Sequence, residues 1–234
     1  MKKFTVLFLT ILLAGIFSLQ AQKQFAGDIR FDAKLEGTDD PNLISGFESM
    51  TQTITILGNK SKSVMRPNEM VAITQIWDGD KGTSSAVIEI SGMGKYYKKW
   101  NAEQHKEKLK FNDYKFSFEN EFKTICDLKC QKVVATVTNM EDDSQQEFTL
   151  FVTKEIGTGK LNGDQFIGLE GYPLMIIQHL PDYGEECVMI MEATKMTPKK
   201  VKDVEFLLPA DAKSIDDDPD MKEMLKGAFG GGDE

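Results

Sequence analysis

The sequence has little of what most catalytic and metal sites are built from. It contains three cysteines and two histidines among 234 residues, too few for a zinc site rich in these residue types. One histidine, His105, lies in a polar, charged stretch and is expected to be exposed. No serine stands in the Gly-x-Ser-x-Gly setting of a hydrolase nucleophile. We therefore expect a protein that is not an enzyme and that uses no metal ion or cofactor.

Two stretches match known binding loops only in part. Asp78 begins an Asp-x-Asp spacing typical of calcium loops, but the twelfth position is Glu89, within a predicted strand. An Asp-Gly pair between apolar runs instead predicts a hairpin turn. The stretch from Gly157 to Lys160 lacks the first glycine and the following Ser or Thr of a phosphate loop. These mismatches exclude nucleotide binding and favour a simple turn over a calcium site.

Long apolar runs are also missing, except for a short one at the N-terminus. Lys2 and Lys3 precede the uncharged run Phe4–Phe17, which is shorter than the roughly 18 residues expected of a membrane-spanning helix. Ser18–Ala21 then supply a small, polar exit. This pattern predicts a cleaved signal peptide over residues 1–21. Because no cysteine follows for lipid attachment, we expect a periplasmic or secreted protein that does not span a membrane.

The charge balance is acidic. The formal net charge is −9, and it becomes more negative once Lys2 and Lys3 are removed, which argues against nucleic acid as a partner. Lysines and aromatic residues alternate from Lys95 to Trp100, as they do in grooves for single-stranded nucleic acid. The predicted export of the protein and its negative net charge argue against such a groove. They favour a strand whose aromatic face is packed. A further alternative is that these aromatic residues line a ligand cavity.

Period-two alternation of apolar and polar residues dominates the rest of the chain. Ile29 to Leu35, Tyr114 to Phe118 and Val133 to Val137 all show it, as half-buried strands do. We count about ten strands and little helix. The pattern predicts a mainly β fold, in which a curved antiparallel sheet forms an incomplete barrel with one or two helical segments packed against it. We assign residues 22–213 to this single domain and residues 214–234 to an acidic, partly helical C-terminal tail.

Short motifs in a fixed order carry a resemblance to a known family. They are Lys123–Lys132, Phe151–Glu155, Leu169–Leu174, Glu192–Lys195 and Phe206–Pro209. In this order the chain resembles the envelope proteins grouped as domain of unknown function 4412, which are similar to the LolA-like lipoprotein carriers. The resemblance implies an incomplete β-barrel with helices closing its mouth, and in the carriers the concave face holds acyl chains. The carriers' polar residues for transfer to a partner are not identifiable in this chain.

Methionine is frequent, with twelve residues, and its flexible thioether suits pockets that adapt to varied shapes. Together with the resemblance, this predicts a non-catalytic cell-envelope protein that binds a lipid or another apolar small molecule in a curved β cavity. Trp100, Met175, Met189 and Met191 are the candidate ligand-binding residues. The alternative is an envelope interaction or assembly protein with a filled core and no ligand. A hydrolase with a site that the sequence does not reveal is the third possibility.

The cysteines allow a disulfide in an oxidising compartment. If Asp127 to Lys129 form a hairpin loop, Cys126 and Cys130 face each other across two strands at a separation that a disulfide can bridge. If one strand contains all five residues, the two are about 13 Å apart and cannot be joined. We favour the hairpin and a Cys126–Cys130 disulfide, which leaves Cys187 free. The alternative pairs Cys130 with Cys187.

Overall fold

A single large sheet makes up most of the molecule. The computed structural model describes residues 24–163 and 165–225, so the predicted signal peptide and the end of the chain lie outside the described residues. Twelve strands within the described ranges form the sheet, in the order β12-β6-β5-β4-β3-β2-β1-β11-β10-β9-β8-β7. All neighbours are antiparallel except β12, which pairs in parallel with β6. The predicted mainly β, curved and unclosed antiparallel sheet is confirmed.

The strands follow one another mostly through short turns. They are β1 (Ala26–Glu36), β2 (Thr51–Leu57), β3 (Lys60–Arg66), β4 (Val71–Asp78), β5 (Thr83–Ile90), β6 (Gly94–Trp100), β7 (Asn112–Ile125), β8 (Leu128–Asn139), β9 (Gln145–Thr153), β10 (Tyr172–His179), β11 (Val188–Pro198) and β12 (Lys213–Ser214). Three short helices accompany them: α1 (Pro41–Glu48), α2 (Ala102–Lys108) and α3 (Pro219–Met224). In the described part of the chain, no helix has the length and apolar character needed to cross a membrane.

Alternation along the strands gives the sheet one apolar face. In β1, Ile29, Phe31, Ala33 and Leu35 are buried, and the residues between them are less buried or exposed. Buried residues of β1 stand opposite apolar residues of both neighbours, as in the pairing of Ile29 with Ile54 and with Met196. β1 therefore buries its apolar side chains on the same face as the strands beside it. A register shift between β1 and β11 at Phe31 adds a local bend.

The long loop between β9 and β10 shows how strongly the sheet is curved. This loop, which we call the β9–β10 loop, comprises residues 154–171. Its Lys160 carbonyl accepts a hydrogen bond from the Trp77 indole of β4 at 2.5 Å. In the sheet β4 and β9 are six strand intervals apart, about 29 Å if the sheet were flat. The sheet is therefore bent until the loop can cross its concave face.

The C-terminal segment packs against the sheet near its other edge. Ile215, Met221 and Leu225 are buried in a cluster with Ile88 and Tyr96. Asp218 caps α3 by accepting a hydrogen bond from the backbone N–H of Met221. The first part of the predicted acidic tail is thus attached to the sheet, while residues 226–234 lie outside the described part of the chain.

The β7–β8 hairpin corrects the geometry assumed for the disulfide. Its turn consists of Cys126 and Asp127, both with positive φ, as a two-residue hairpin turn requires. Cys126 therefore lies in the turn, and Cys130 stands opposite Lys123. The three-residue turn that would have placed the two cysteines opposite each other is not found. Cys126, Cys130 and Cys187 are all free thiols in the structure.

Candidate ligand-binding cavity

The concave face of the sheet and the β9–β10 loop form a partly open cavity of about 310 Å³. Its walls come from β1 to β6, β10 and β11, and the loop forms its cover. This volume lies at the lower end of the range for small-molecule sites. The sheet is therefore not completely filled by its own side chains on this face.

One row of cross-strand neighbours explains why space remains. Ser61 of β3 stands opposite Trp77 of β4, which stands opposite Ser84 of β5, which in turn stands opposite Trp100 of β6. All four side chains line the cavity. Because each serine is small and its neighbour is a large indole, the row alternates in height and leaves gaps between the rings. Four packed large residues would close such gaps.

A second group of polar side chains lies beside this row. Gln52 of β2 donates a hydrogen bond to the hydroxyl of Ser63 on β3, with 2.7 Å between Nε2 and Oγ. Both residues line the cavity together with Gln75 of β4, which is opposite Ser63. The wall formed by β2 to β4 therefore offers hydrogen-bonding groups where a core would present apolar ones.

The β9–β10 loop contributes the opposite wall. Phe166 packs its ring edge-on against Phe148, with 5.3 Å between the centroids. Asn162 donates hydrogen bonds from Nδ2 to the carbonyls of Leu169 at 3.3 Å and Gly171 at 3.0 Å. Phe166 and Asn162 both line the cavity. The loop thus supplies one aromatic ring and one amide, held by contacts within the loop and with the sheet.

Three polar contacts and one close approach fix the loop over the far half of the sheet. Besides the bond from Trp77, Thr158 donates to the side chain of Asn59 at 3.0 Å. Lys160 pairs with Asp80 at 3.2 Å, and a hydrogen bond from Asn59, together with this pair, lowers the pKa of the Asp80 carboxyl. Gly79 lies so close that a Cβ at this position would be 2.4 Å from the carbonyl oxygen of Lys160.

His105 packs against two residues of the cavity wall, Ser84 and Trp77, which corrects the expectation that it is exposed. Its side chain is buried, and Nε2 is 2.8 Å from the hydroxyl of Ser84. The imidazole also packs edge-on against Trp77, with 5.1 Å between the ring centroids. Glu103, Lys106 and Glu107 of α2 are exposed, and the sequence pattern alone did not separate this exposed side of the helix from its buried side.

The cavity carries no formal charge on the described residues that line it: none of them is Asp, Glu, Lys or Arg. Tyr172, which also lines it, is buried, and burial raises the pKa of its hydroxyl far above the usual range. The phenol is therefore neutral at physiological pH. Over the described residues, no group of three or more His, Cys, Asp or Glu side chains lies close enough together to hold a metal ion.

The four predicted ligand-binding residues divide between positions inside and outside the cavity. Trp100 and Met191 line it. Met189 shares a face with Met191 but lies nearer the beginning of β11 and does not line the cavity. Met175 points to the opposite face, because it is opposite Glu192 while its neighbour Ile176 is opposite Met191. There Met175 is buried, and its sulfur is 3.3 Å from the ammonium of Lys123.

Sequence reasoning missed the polar lining altogether. Ser61 and Ser63 alternate with Lys60 and Lys62 in β3, so every side chain in this stretch is polar and no apolar face identifies a strand. The size of alternate residues could have identified this strand, because serines lie on one face of it and lysines on the other. Small hydroxyl residues at alternate positions of a strand between two apolar strands point to a face with space on it.

Comparison with known proteins places the fold but not the function. No family model matches the sequence, and no curated protein matches it significantly. Among solved structures, the chain is similar to PNGF-II in a P21 crystal form, with 14% sequence identity and a TM-score of 0.51. It is also similar to PNGF-II in a C2 crystal form, with 13% identity and a TM-score of 0.53. Each match covers 84% of this chain and about a third of the PNGF-II chain, and at this identity the likeness concerns the fold alone.

Proposed function

We propose that this chain is a non-catalytic cell-envelope protein that binds a lipid fragment or another largely apolar small molecule in the cavity under the β9–β10 loop. The observation that carries the proposal is the cavity itself, which has aromatic walls and a cover. Pockets that bind small molecules are concave and mostly apolar, with a few polar groups that orient the ligand. Phe31, Trp77, Trp100 and Phe166 supply the apolar surface.

The predicted export and the resemblance to the domain of unknown function 4412 family support the same function. Both suggest an envelope protein related in architecture to carriers that hold acyl chains on a concave face. In this chain the cavity lies on the concave face of the sheet, the face that the resemblance implies for a ligand. Its volume of about 310 Å³ corresponds to about ten water-sized groups, which suits one short chain better than a lipid with two long ones.

Native mass spectrometry of the protein purified from its own host tests this function. We expect a bound species that is released by organic extraction. Ser61→Phe should abolish it, because the added ring would occupy the cavity between β2 and β4. Thr53→Phe is the matched control, since Thr53 is exposed on the neighbouring strand, on the face opposite Gln52 and Ile54. A bound species that persists in Ser61→Phe, or a ligand-free wild type, would contradict the proposal.

The contact between Ser84 and His105 requires a test of its own, because a serine hydroxyl next to an imidazole is also the starting arrangement of serine hydrolases. We assign the pair a structural role: it joins α2 to β5 behind Trp77. The wild type should therefore hydrolyse p-nitrophenyl octanoate no faster than Ser84→Ala. Turnover that is lost in Ser84→Ala would show that the protein is an enzyme.

A second candidate function rests on the outer edge of the sheet. β7 is an edge strand of 14 residues, and Phe118 and Phe122 on it are 46% and 45% exposed. Exposed apolar edge strands can pair with a strand of another chain, as an assembly protein would require. If this edge drives association, light scattering after size-exclusion chromatography should show an oligomer that Phe118→Lys converts to monomer. A monomeric wild type at high concentration would remove this candidate.

A further inference from the structure

The polar part of the cavity carries information about the ligand. The β2–β4 wall presents the amide of Gln52 and the hydroxyls of Ser61 and Ser63 next to the indole of Trp77. A ligand made only of hydrocarbon would remove water from these groups and give nothing in return. Desolvating a hydrogen-bonding group without a new partner is unfavourable. The walls therefore fit a molecule that carries its own hydrogen-bonding groups at one end.

Asn162 shows where one such group would bind. Its Nδ2 donates to two carbonyl oxygens, those of Leu169 and Gly171, and these two acceptors fix the orientation of the amide. The other amide atom, Oδ1, is buried and has no hydrogen-bond partner within the described structure. Buried acceptors in native proteins are normally satisfied. Asn162 lines the cavity, so a small movement of its side chain would present Oδ1 to a ligand hydroxyl or N–H.

The absence of charge on the described lining residues restricts the polar group further. A carboxylate or phosphate moved into this cavity would lose its hydration without meeting a lysine or arginine among them. Serine, glutamine and asparagine side chains, in contrast, both donate and accept hydrogen bonds, as neutral hydroxyl and amide groups do.

The geometry points to an uncharged amphiphile as the ligand: a short apolar chain among the aromatic rings, with a hydroxyl- or amide-bearing head at Gln52, Ser63 and Asn162. This inference rests on the proposed function and names the ligand class for the same cavity. It is more specific than the prediction made from sequence, in which the ligand was a lipid or another apolar small molecule and the contacts were Trp100, Met175, Met189 and Met191.

Three probes with the same eight-carbon chain test separately whether the cavity binds a ligand and whether it prefers a neutral head group. They are 1-monooctanoylglycerol, with two free hydroxyls, methyl octanoate, with none, and octanoate, with a negative charge. Isothermal titration below micellar concentrations should give a dissociation constant about tenfold lower for 1-monooctanoylglycerol than for methyl octanoate, as expected for two modest hydrogen bonds. Octanoate should bind most weakly, because its charge finds no partner.

A double variant tests whether the polar wall causes the preference. Gln52→Leu with Ser63→Ala removes both members of one hydrogen bond, a change that proteins tolerate well because no orphaned partner remains. The preference for 1-monooctanoylglycerol should fall from about tenfold to about twofold. Ser117→Ala with Gln146→Leu makes the same chemical changes at exposed positions and should leave the preference unchanged.

The outcomes are distinguishable. If none of the three probes binds to the wild type, the proposed function itself fails. If methyl octanoate or octanoate binds as tightly as 1-monooctanoylglycerol, the cavity binds ligands but the neutral-head inference is wrong. A preference that survives in the Gln52→Leu/Ser63→Ala protein would also overturn the inference. Should this variant not fold, the three-probe comparison on the wild type still decides.

Discussion

The indole Nε1 of Trp77 donates a hydrogen bond of 2.5 Å to the main-chain carbonyl of Lys160, and this bond joins the two sides of the cavity. Trp77 belongs to β4, and Lys160 belongs to the loop that leaves β9. The same tryptophan ring lines the cavity and packs against His105. One side chain therefore fixes the cover, forms part of the wall and contacts α2 through His105.

Replacing Trp77 with Phe should loosen the cover without unfolding the sheet. The variant keeps a ring at this position but loses the hydrogen bond, at a cost of roughly 0.5–1.5 kcal/mol. We expect faster hydrogen exchange in residues 156–163 and faster trypsin cleavage after Lys160. Trp100→Phe, two strands away, is the control and should leave this cleavage rate unchanged. Equal protection of the loop in all three proteins would show that the Trp77 bond does not hold it.

A substitution at Gly79 tests how closely the β9–β10 loop approaches this position. A methyl group there would lie 2.4 Å from the Lys160 oxygen and 2.9 Å from the Asn59 oxygen, so backbone has to move. Gly79→Ala should therefore lower the free energy of unfolding by about 1–3 kcal/mol in denaturant titrations. Gly46→Ala is the matched control, because no atom lies within 4 Å of that Cβ position in α1. There we expect a gain of about 0.5–1 kcal/mol. A Gly79→Ala protein as stable as the wild type would contradict the packing described.

The cysteines should behave as buried thiols. Cys130 and Cys187 have no exposed surface, and Cys126 is only partly buried. Ellman's reagent at pH 8 should therefore modify Cys126 first and reach three thiols per chain only after unfolding. Peptide mapping without reductant should find no linked cysteine peptides. A Cys126–Cys130 disulfide in the native protein would contradict the hairpin register, and a disulfide that includes Cys187 would contradict its state as a free thiol.

The buried thiol of Cys130 should make the free energy of unfolding depend on pH. Desolvation raises the pKa of its thiol from 9.0 to about 11. The unfolded chain therefore loses this proton at a lower pH than the folded protein does. The contribution of Cys130 to stability is complete below pH 9 and is lost as the pH rises to 11. In denaturant titrations across this range the wild type should lose more stability than Cys130→Ala. Parallel plots of unfolding free energy against pH for the two proteins would contradict this prediction.

The fold could be predicted from sequence because most strands bury one face. Ile29 to Leu35 alternate strictly, and this alternation fixes both the strand and the side that faces the core. The cavity could not be predicted in the same way. Whether Met175 or Met191 faces it depends on register, and β10 and β11 are apolar on both sides in this region. A shift of one residue exchanges the faces, so the two residues could not be told apart from sequence alone.

The turn of the β7–β8 hairpin shows the same limit. A three-residue and a two-residue turn both agree with the alternation on either side of Asp127. In the two-residue turn Cys126 itself adopts a positive φ, which is uncommon for cysteine and which local preferences therefore do not predict. The contact of Trp77 with Lys160 is a long-range contact of the β9–β10 loop, and strand patterns contain no information about it.

Processing of the N-terminus stays a prediction. Residues 1–21 have the charge and apolar pattern of a cleaved leader, and protein recovered from outside the cytoplasm should begin near Gln22. N-terminal sequencing checks this directly. Recovery of the intact N-terminus, starting at Met1, on membrane-associated protein would contradict it.

The most direct test of the central claim, ligand binding in the cavity, is an NMR titration of protein labelled with ¹³C at the methionine methyl groups. Met191 lines the cavity, and Met175 is buried on the opposite face of the sheet. Met191→Leu and Met175→Leu assign the two signals, since such exchanges conserve volume. On addition of 1-monooctanoylglycerol, the Met191 signal should shift in a saturable manner and the Met175 signal should stay in place. Saturable binding that moves Met175 and leaves Met191 unchanged, or no saturable shift at all, would contradict the account.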